Sequence, residues 1–157
     1  PIGTEGRPKV NVLMSMTQMM NGNISVDPRI ATFPNDEIDP VQFDIIISGV
    51  DSMKARKEIW ERLRYQFFGT YIEGRMGAEA FRIYTVMPSK AEDVEMYEGT
   101  LYTDEEAAEV RCTAQAIIYN VFVIAGIVCL HVRKTLTNEK CHREILMDLP
   151  SMTVLAS

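Results

Sequence analysis

FDIIISGVDSMKAR, residues 43–56, opens as a strand and closes as a helix. Phe43, Ile45, Ile46 and Ile47 make a short run too apolar for a surface strand, and they predict a parallel strand covered on both faces. Gly49 ends the run, Asp51 follows, and a charged helical pattern runs from Ser52 to Gln66 with Ala55, Ile59, Leu63 and Phe67 as its expected core face. Open α/β sheets gather their ligands at the carboxyl ends of such strands. Asp51 therefore stands where a carboxylate can hold a metal ion or a phosphate-bearing ligand. It stands equally where a helix takes an N-cap or a first-turn acid.

Upstream, the chain reaches a helix at once. Pro8 suits its first turn, Val10, Leu13, Met14, Thr17 and Met20 recur at helical spacing, and Asn21-Gly22 is expected to end it through the left-handed conformation. NISVDPRIATF then alternates apolar and polar and predicts a strand bent at Pro28, followed by a polar loop. The order helix, strand, strand, helix is part of a βαβ series without its first strand, and neither GxGxxG nor GxxxxGK[ST] occurs. The expectation is one partial domain, residues 1–157, forming the later part of a larger fold.

Downstream, GTYIEGRMGAEAFRIYTVMP predicts two strands, around Tyr71–Ile72 and Phe81–Val86, joined in a hairpin by GRMG, with Arg75 in the turn. Residues 89–109 are acidic with little periodicity and predict a long surface loop, with a short helix from Asp104. The tail HREILMDLPSMTVLAS predicts one or two closing strands. Together these make an α/β, Rossmann-like mixed sheet, parallel first and antiparallel towards the C-terminus, flanked by helices.

The 157 residues carry a net charge of −6 with the acids scattered, so no basic face points to nucleic acid. Cys112, Cys129 and Cys141 are widely spaced, which argues against a disulfide framework and a structural zinc ribbon and fits a reducing cytoplasm. No signal peptide is visible. Thr113–Val132 holds no charged residue, but Gln115, Asn120 and His131 interrupt it and no aromatic belt flanks it. It is expected to be a core or subunit-interface helix that does not cross a membrane, with Cys129 buried in it. Cys112 stands between the acidic loop and this helix, where a helix N-terminus and Arg111 favour a thiolate, and a buried structural thiol is its other reading. Neither His131 nor His142 shows ligand spacing.

GRPKV with Asn21 at the helix end, the strand leading to Asp51, and the DxxxxR from Asp51 to Arg56 together resemble the ubiquitin-activating superfamily, the ThiF/MoeB/HesA-like adenylyltransferases. Members carry a G-x-x-K or G-x-P-K helix start, here Gly6 and Lys9, an Asn-Pro at the helix end, and a strand leading to D-N-x-x-x-R. Here Asn-Pro is Asn21-Gly22 and the Asp-Asn pair is Asp51-Ser52. The family's CxxC zinc ligands and its Gly-rich nucleotide loop are absent from this sequence.

The resemblance implies ATP-dependent adenylylation of the C-terminal carboxylate of a ubiquitin-like or sulfur-carrier protein. It implies ATP and Mg²⁺ as cofactors, Lys9 on the phosphates, Asp51 on Mg²⁺, and Arg56 at the nucleotide or bracing the loop. Cys112 is the candidate for a thioester. Relatives are commonly dimers, so a homodimer or a complementing N-terminal half is expected. The alternative is a non-catalytic dimerisation or interaction fragment of such a protein.

Overall fold

The computed structural model describes residues 6–102 and 117–157. The chain divides into two units, Pro1–Ile38 and Asp39–Ser157.

In the first unit, α1 spans Lys9–Met20 with Pro8 as its N-cap residue, as the sequence predicts. None of its side chains is buried. It ends at Asn21, which is extended (φ −151°) and donates its N–H to the Thr17 carbonyl, so no left-handed residue closes it. Residues 23–33 form no strand, contrary to their alternation. Pro28 offers no N–H to a ladder, and local bonds occupy this region instead: Arg29 pairs with Asp27 at 2.8 Å and reaches the Glu37 carbonyl.

The second unit is built on a mixed sheet of order β1-β2-β3-β4-β5, comprising Ile45–Ser48, Thr70–Gly77, Ala80–Val86, Glu144–Asp148 and Thr153–Ala156. β1 and β2 are parallel and every later pairing is antiparallel, the expected mixed α/β arrangement. Gly69 makes the entry to β2 possible. A Cβ there would meet the Asp44 carbonyl oxygen at 2.2 Å, the same oxygen that accepts the Thr70 N–H at 2.9 Å.

Two expectations about these strands are corrected. β1 is an edge strand among the described residues, and one of its faces is left open: Ile47 is 56% exposed, and Phe43, just ahead of the strand on the same side, is 42% exposed, whereas Ser48 on the other face is buried. GRMG lies inside β2, so Arg75 is a strand residue opposite Arg82. The turn falls on Ala78 and Glu79, with Ala78 at φ 52°.

The sheet's alternation divides the layers. On one face Ile72, Phe81, Ile83 and Ile145 pack with Ile124 of α4, Ile118–Leu136. That helix is long and apolar enough, by length and composition, to cross a membrane. Here one side of it lies on the sheet: Asn120 donates to the Ala78 carbonyl at 2.9 Å, and the buried His131 Nδ1 bonds the Thr85 hydroxyl at 2.6 Å. Cys129, expected to be buried, is exposed because it lies on the helix face turned away from Ile124 and His131.

The other face carries Tyr71, Glu73, Arg75 and Tyr84, covered by α2 (Met53–Leu63) and α3 (Ala91–Glu98). α2 starts where the sequence puts it, and Ile59, Leu63 and Phe67 are buried as expected, with Ala55 half-buried. Arg56 and Trp60 join them. α3 occupies part of the stretch read as a surface loop, because Asp93 and Tyr97, one helical turn apart, both turn inward. Asp93 accepts the Met87 N–H at 3.1 Å and pairs with Arg143 at 2.7 Å. The helix expected from Asp104 and the residue Cys112 lie outside the described residues.

Candidate functional site at the carboxyl end of β1

β1 stops at Ser48, level with Glu73 on β2, and the chain turns through Gly49, Val50 and Asp51 into α2. Ser52 caps that helix, its hydroxyl accepting the Ala55 N–H at 3.2 Å. The cap is therefore not Asp51. Asp51 is exposed, and no hydrogen bond or ion pair among the described residues engages its carboxylate.

Arg56 holds this loop from beneath. Its side chain is 8% exposed, and a single nitrogen, Nη1, donates to the Val50 carbonyl at 2.7 Å and pairs with Glu73 Oε1 at 3.0 Å. Glu73 is fully buried and both of its oxygens are engaged. Oε1 also takes Arg75 Nε at 2.8 Å, while Oε2 takes Arg75 Nη2 at 3.0 Å and the Tyr97 hydroxyl. Arg75 continues outward, donating to the Thr100 carbonyl at 2.9 Å and to the Thr100 hydroxyl at 3.1 Å.

An aromatic cluster encloses these charges. The Arg75 guanidinium lies 4.5 Å from the Tyr84 ring centre and 5.6 Å from that of Tyr97. Tyr97 packs edge-on against Trp60 at 4.7 Å and Tyr71 at 5.6 Å. Trp60 in turn donates its indole N–H to Glu98 at 2.9 Å. Burial, reinforced by the Glu73 charge, pushes the Tyr71 phenol up to about 12. Burial and then the neighbouring Tyr71 and Glu73 raise Tyr97 further, so both phenols stay neutral, and Tyr97 donates to Glu73. Burial alone would lower Arg75, yet its bond and proximity to Glu73 hold it above its ordinary value.

Of the residues singled out from sequence, Asp51 and Arg56 come to one loop, with Asp51 facing solvent and Arg56 facing inward. Lys9 belongs to the other unit, where it opens α1 and is exposed. Glu73 and Tyr97 were missed in the sequence. The signal for Glu73 was the same-face alternation Tyr71, Glu73, Arg75 in a strand, which places an acid and a base side by side on a buried face.

Mg²⁺ bound together with substrate phosphates takes one or two protein carboxylates, and Asp51 could supply one. Among the described residues no group of three acids, histidines or cysteines forms a self-sufficient metal site. The phosphates would have to complete the coordination.

No family model matches the chain, and no curated protein does. Solved structures do. One is the crystal structure of selenomethionine PaaA, which superposes with a TM-score of 0.69 at 16% identity over 97% of this chain and 55% of that one. The chain thus spans about half the length of that neighbour, and the likeness shows the α/β fold.

Proposed function

We propose that the complete protein is an ATP-dependent adenylyltransferase of the ThiF/MoeB/HesA type. It joins the C-terminal carboxylate of a ubiquitin-like or sulfur-carrier protein to AMP and releases pyrophosphate. The observation that carries this reading is Asp51: a solvent-facing carboxylate, without a partner among the described residues, at the carboxyl end of a parallel strand, on a loop braced by a buried arginine.

A carboxylate attacking the α-phosphate of ATP meets like-charge repulsion, so catalysis rests on neutralising phosphate oxygens and holding the groups in line. Mg²⁺ would supply charge neutralisation when bound. Asp51 would hold it; Lys9, at a helix start where backbone donors favour anions, is the residue that the family resemblance assigns to the phosphates. The Gly-rich nucleotide loop, which this sequence does not contain, would come from a complementing half; a homodimer of this chain alone would lack it. Cys112 is the residue to take a thioester where one forms. The acidic charge and sparse cysteines favour a cytoplasmic setting.

One observation favours a second reading, an interaction module. The outward face of α4 exposes Ile118, Phe122, Leu130 and Leu136. Sedimentation of the complete protein as a monomer at high concentration would count against it.

The adenylylation reading is tested by titrating Mg²⁺–ATP into the complete protein. Binding is expected to weaken at least about tenfold in Lys9→Ala and in Asp51→Ala; unchanged affinity in both would refute the reading.

A further inference from the structure

We infer that Glu73 is a positioning residue that couples the Asp51 loop to the chain leaving α3 at Thr100, with Arg56 serving this coupling and not touching the nucleotide. The proposal deepens the adenylylation reading, because it takes Asp51 as the ligand-facing group. The geometry on which it stands is independent of any ligand.

Each arginine bridges Glu73 to a backbone carbonyl. Arg56 ties it to Val50 and Arg75 ties it to Thr100. The two share one oxygen, Oε1, at 3.0 and 2.8 Å. Glu73 accepts three hydrogen bonds, two from Arg75 and one from Tyr97, and its Oε1 also forms the ion pair with Arg56. It is fully buried, so water is not at hand to replace a lost partner. Displacing either loop strips a contact from the carboxylate on which the other loop also depends. Thr100 is fastened a second time, its hydroxyl donating to the Tyr97 carbonyl at 2.6 Å.

The test is amide hydrogen exchange on the complete, ligand-free protein, comparing residues 55–56, whose N–H groups bond Ser52 at the end of the Asp51 loop, with residues 99–102. Glu73→Gln is expected to speed exchange in both segments by about tenfold or more. Tyr97→Phe, which keeps its ring in the aromatic cluster, is expected to move both in the same direction and serves where Glu73→Gln does not fold. Acceleration confined to one segment, or none, overturns the coupling.

Rescue separates positioning from packing. One Arg56 nitrogen makes both contacts, so a lysine ammonium can replace it: Arg56→Lys should restore slow exchange and a normal KM for Mg²⁺–ATP, whereas Arg56→Met, similar in length, should raise both. Met performing as well as Lys would also overturn the proposal. If the two segments respond together while Asp51→Ala leaves pyrophosphate exchange intact, the coupling stands and the adenylylation reading falls. If Asp51→Ala abolishes that exchange while the segments respond separately, the reverse holds.

Discussion

Removing Glu73 should cost far more stability than removing Arg56, although the two are partners. The buried cluster holds two guanidiniums and one carboxylate, with side chains 8%, 11% and 0% exposed for Arg56, Arg75 and Glu73. Glu73→Gln leaves two cations buried without a counter-charge, the situation in which breaking a buried pair costs about 3–5 kcal/mol. Arg56→Met leaves Arg75 and Glu73 as a neutral, doubly bonded pair and fills the vacated volume with an apolar chain. What remains is an unpartnered Val50 carbonyl and one lost contact on Glu73, about 1–2 kcal/mol. Trp60, the sole tryptophan, sits in this cluster against Tyr97, so its fluorescence during urea unfolding reports on this unit directly. Glu73→Gln should lie lower than Arg56→Met by about 2 kcal/mol. Equal costs, or the opposite order, would refute the reasoning that one carboxylate balances both arginines.

Burial, with Lys134 and His142 adding to it, lowers the His131 imidazole below its usual 6.5. The fold thus favours the neutral ring; the stability this gives is fully present above pH 6.5 and is lost as pH falls from there through the lowered folded value. His131→Gln should flatten the fall in urea midpoint between about pH 8 and about pH 5, and an unchanged slope would count against this. Gly69→Ala should cost about 3 kcal/mol or more by forcing Asp44 and Phe67 away, and near-neutral behaviour in thermal melts would contradict the close approach. On α4, Ile124→Ala should cost about 2–5 kcal/mol. Phe122→Ser, at a side chain 71% exposed, should stay within about 0.5 kcal/mol, and a reversal would mean the helix is turned the other way.

Elements with a local signal were legible in the sequence. The Ile45–Ser48 strand, the helix after Ser52 and the closing strands announce themselves by apolar runs, a charged helical pattern and alternation. The hairpin was legible as a fold but misplaced along the chain. Gly74 and Gly77 looked like turn residues, whereas the turn uses Ala78 and Glu79, which carry no glycine or asparagine signal. Alternation misled at residues 23–33, since a strand exists only where a neighbour pairs with it. The Glu73 centre was hidden for a different reason. A buried acid is tolerable only with its partners, and those come from α2, from its own strand and from α3, elements whose meeting is decided by tertiary packing. Once β2 is recognised as a strand, Glu73 and Arg75 fall on the face shared with Tyr71, and α2 supplies Arg56.

The most direct test of the central claim is ATP–pyrophosphate exchange by the complete protein with its carrier partner, comparing Asp51→Ala with the parent. Asp51 makes no contact that the fold depends on among the described residues, so the variant should keep its urea midpoint. Exchange is expected to fall by about a hundredfold or more, the scale of losing a pre-positioned charge at a reacting phosphate. A folded Asp51→Ala protein that exchanges pyrophosphate at the parent rate would contradict the assignment of this loop as an adenylylation site.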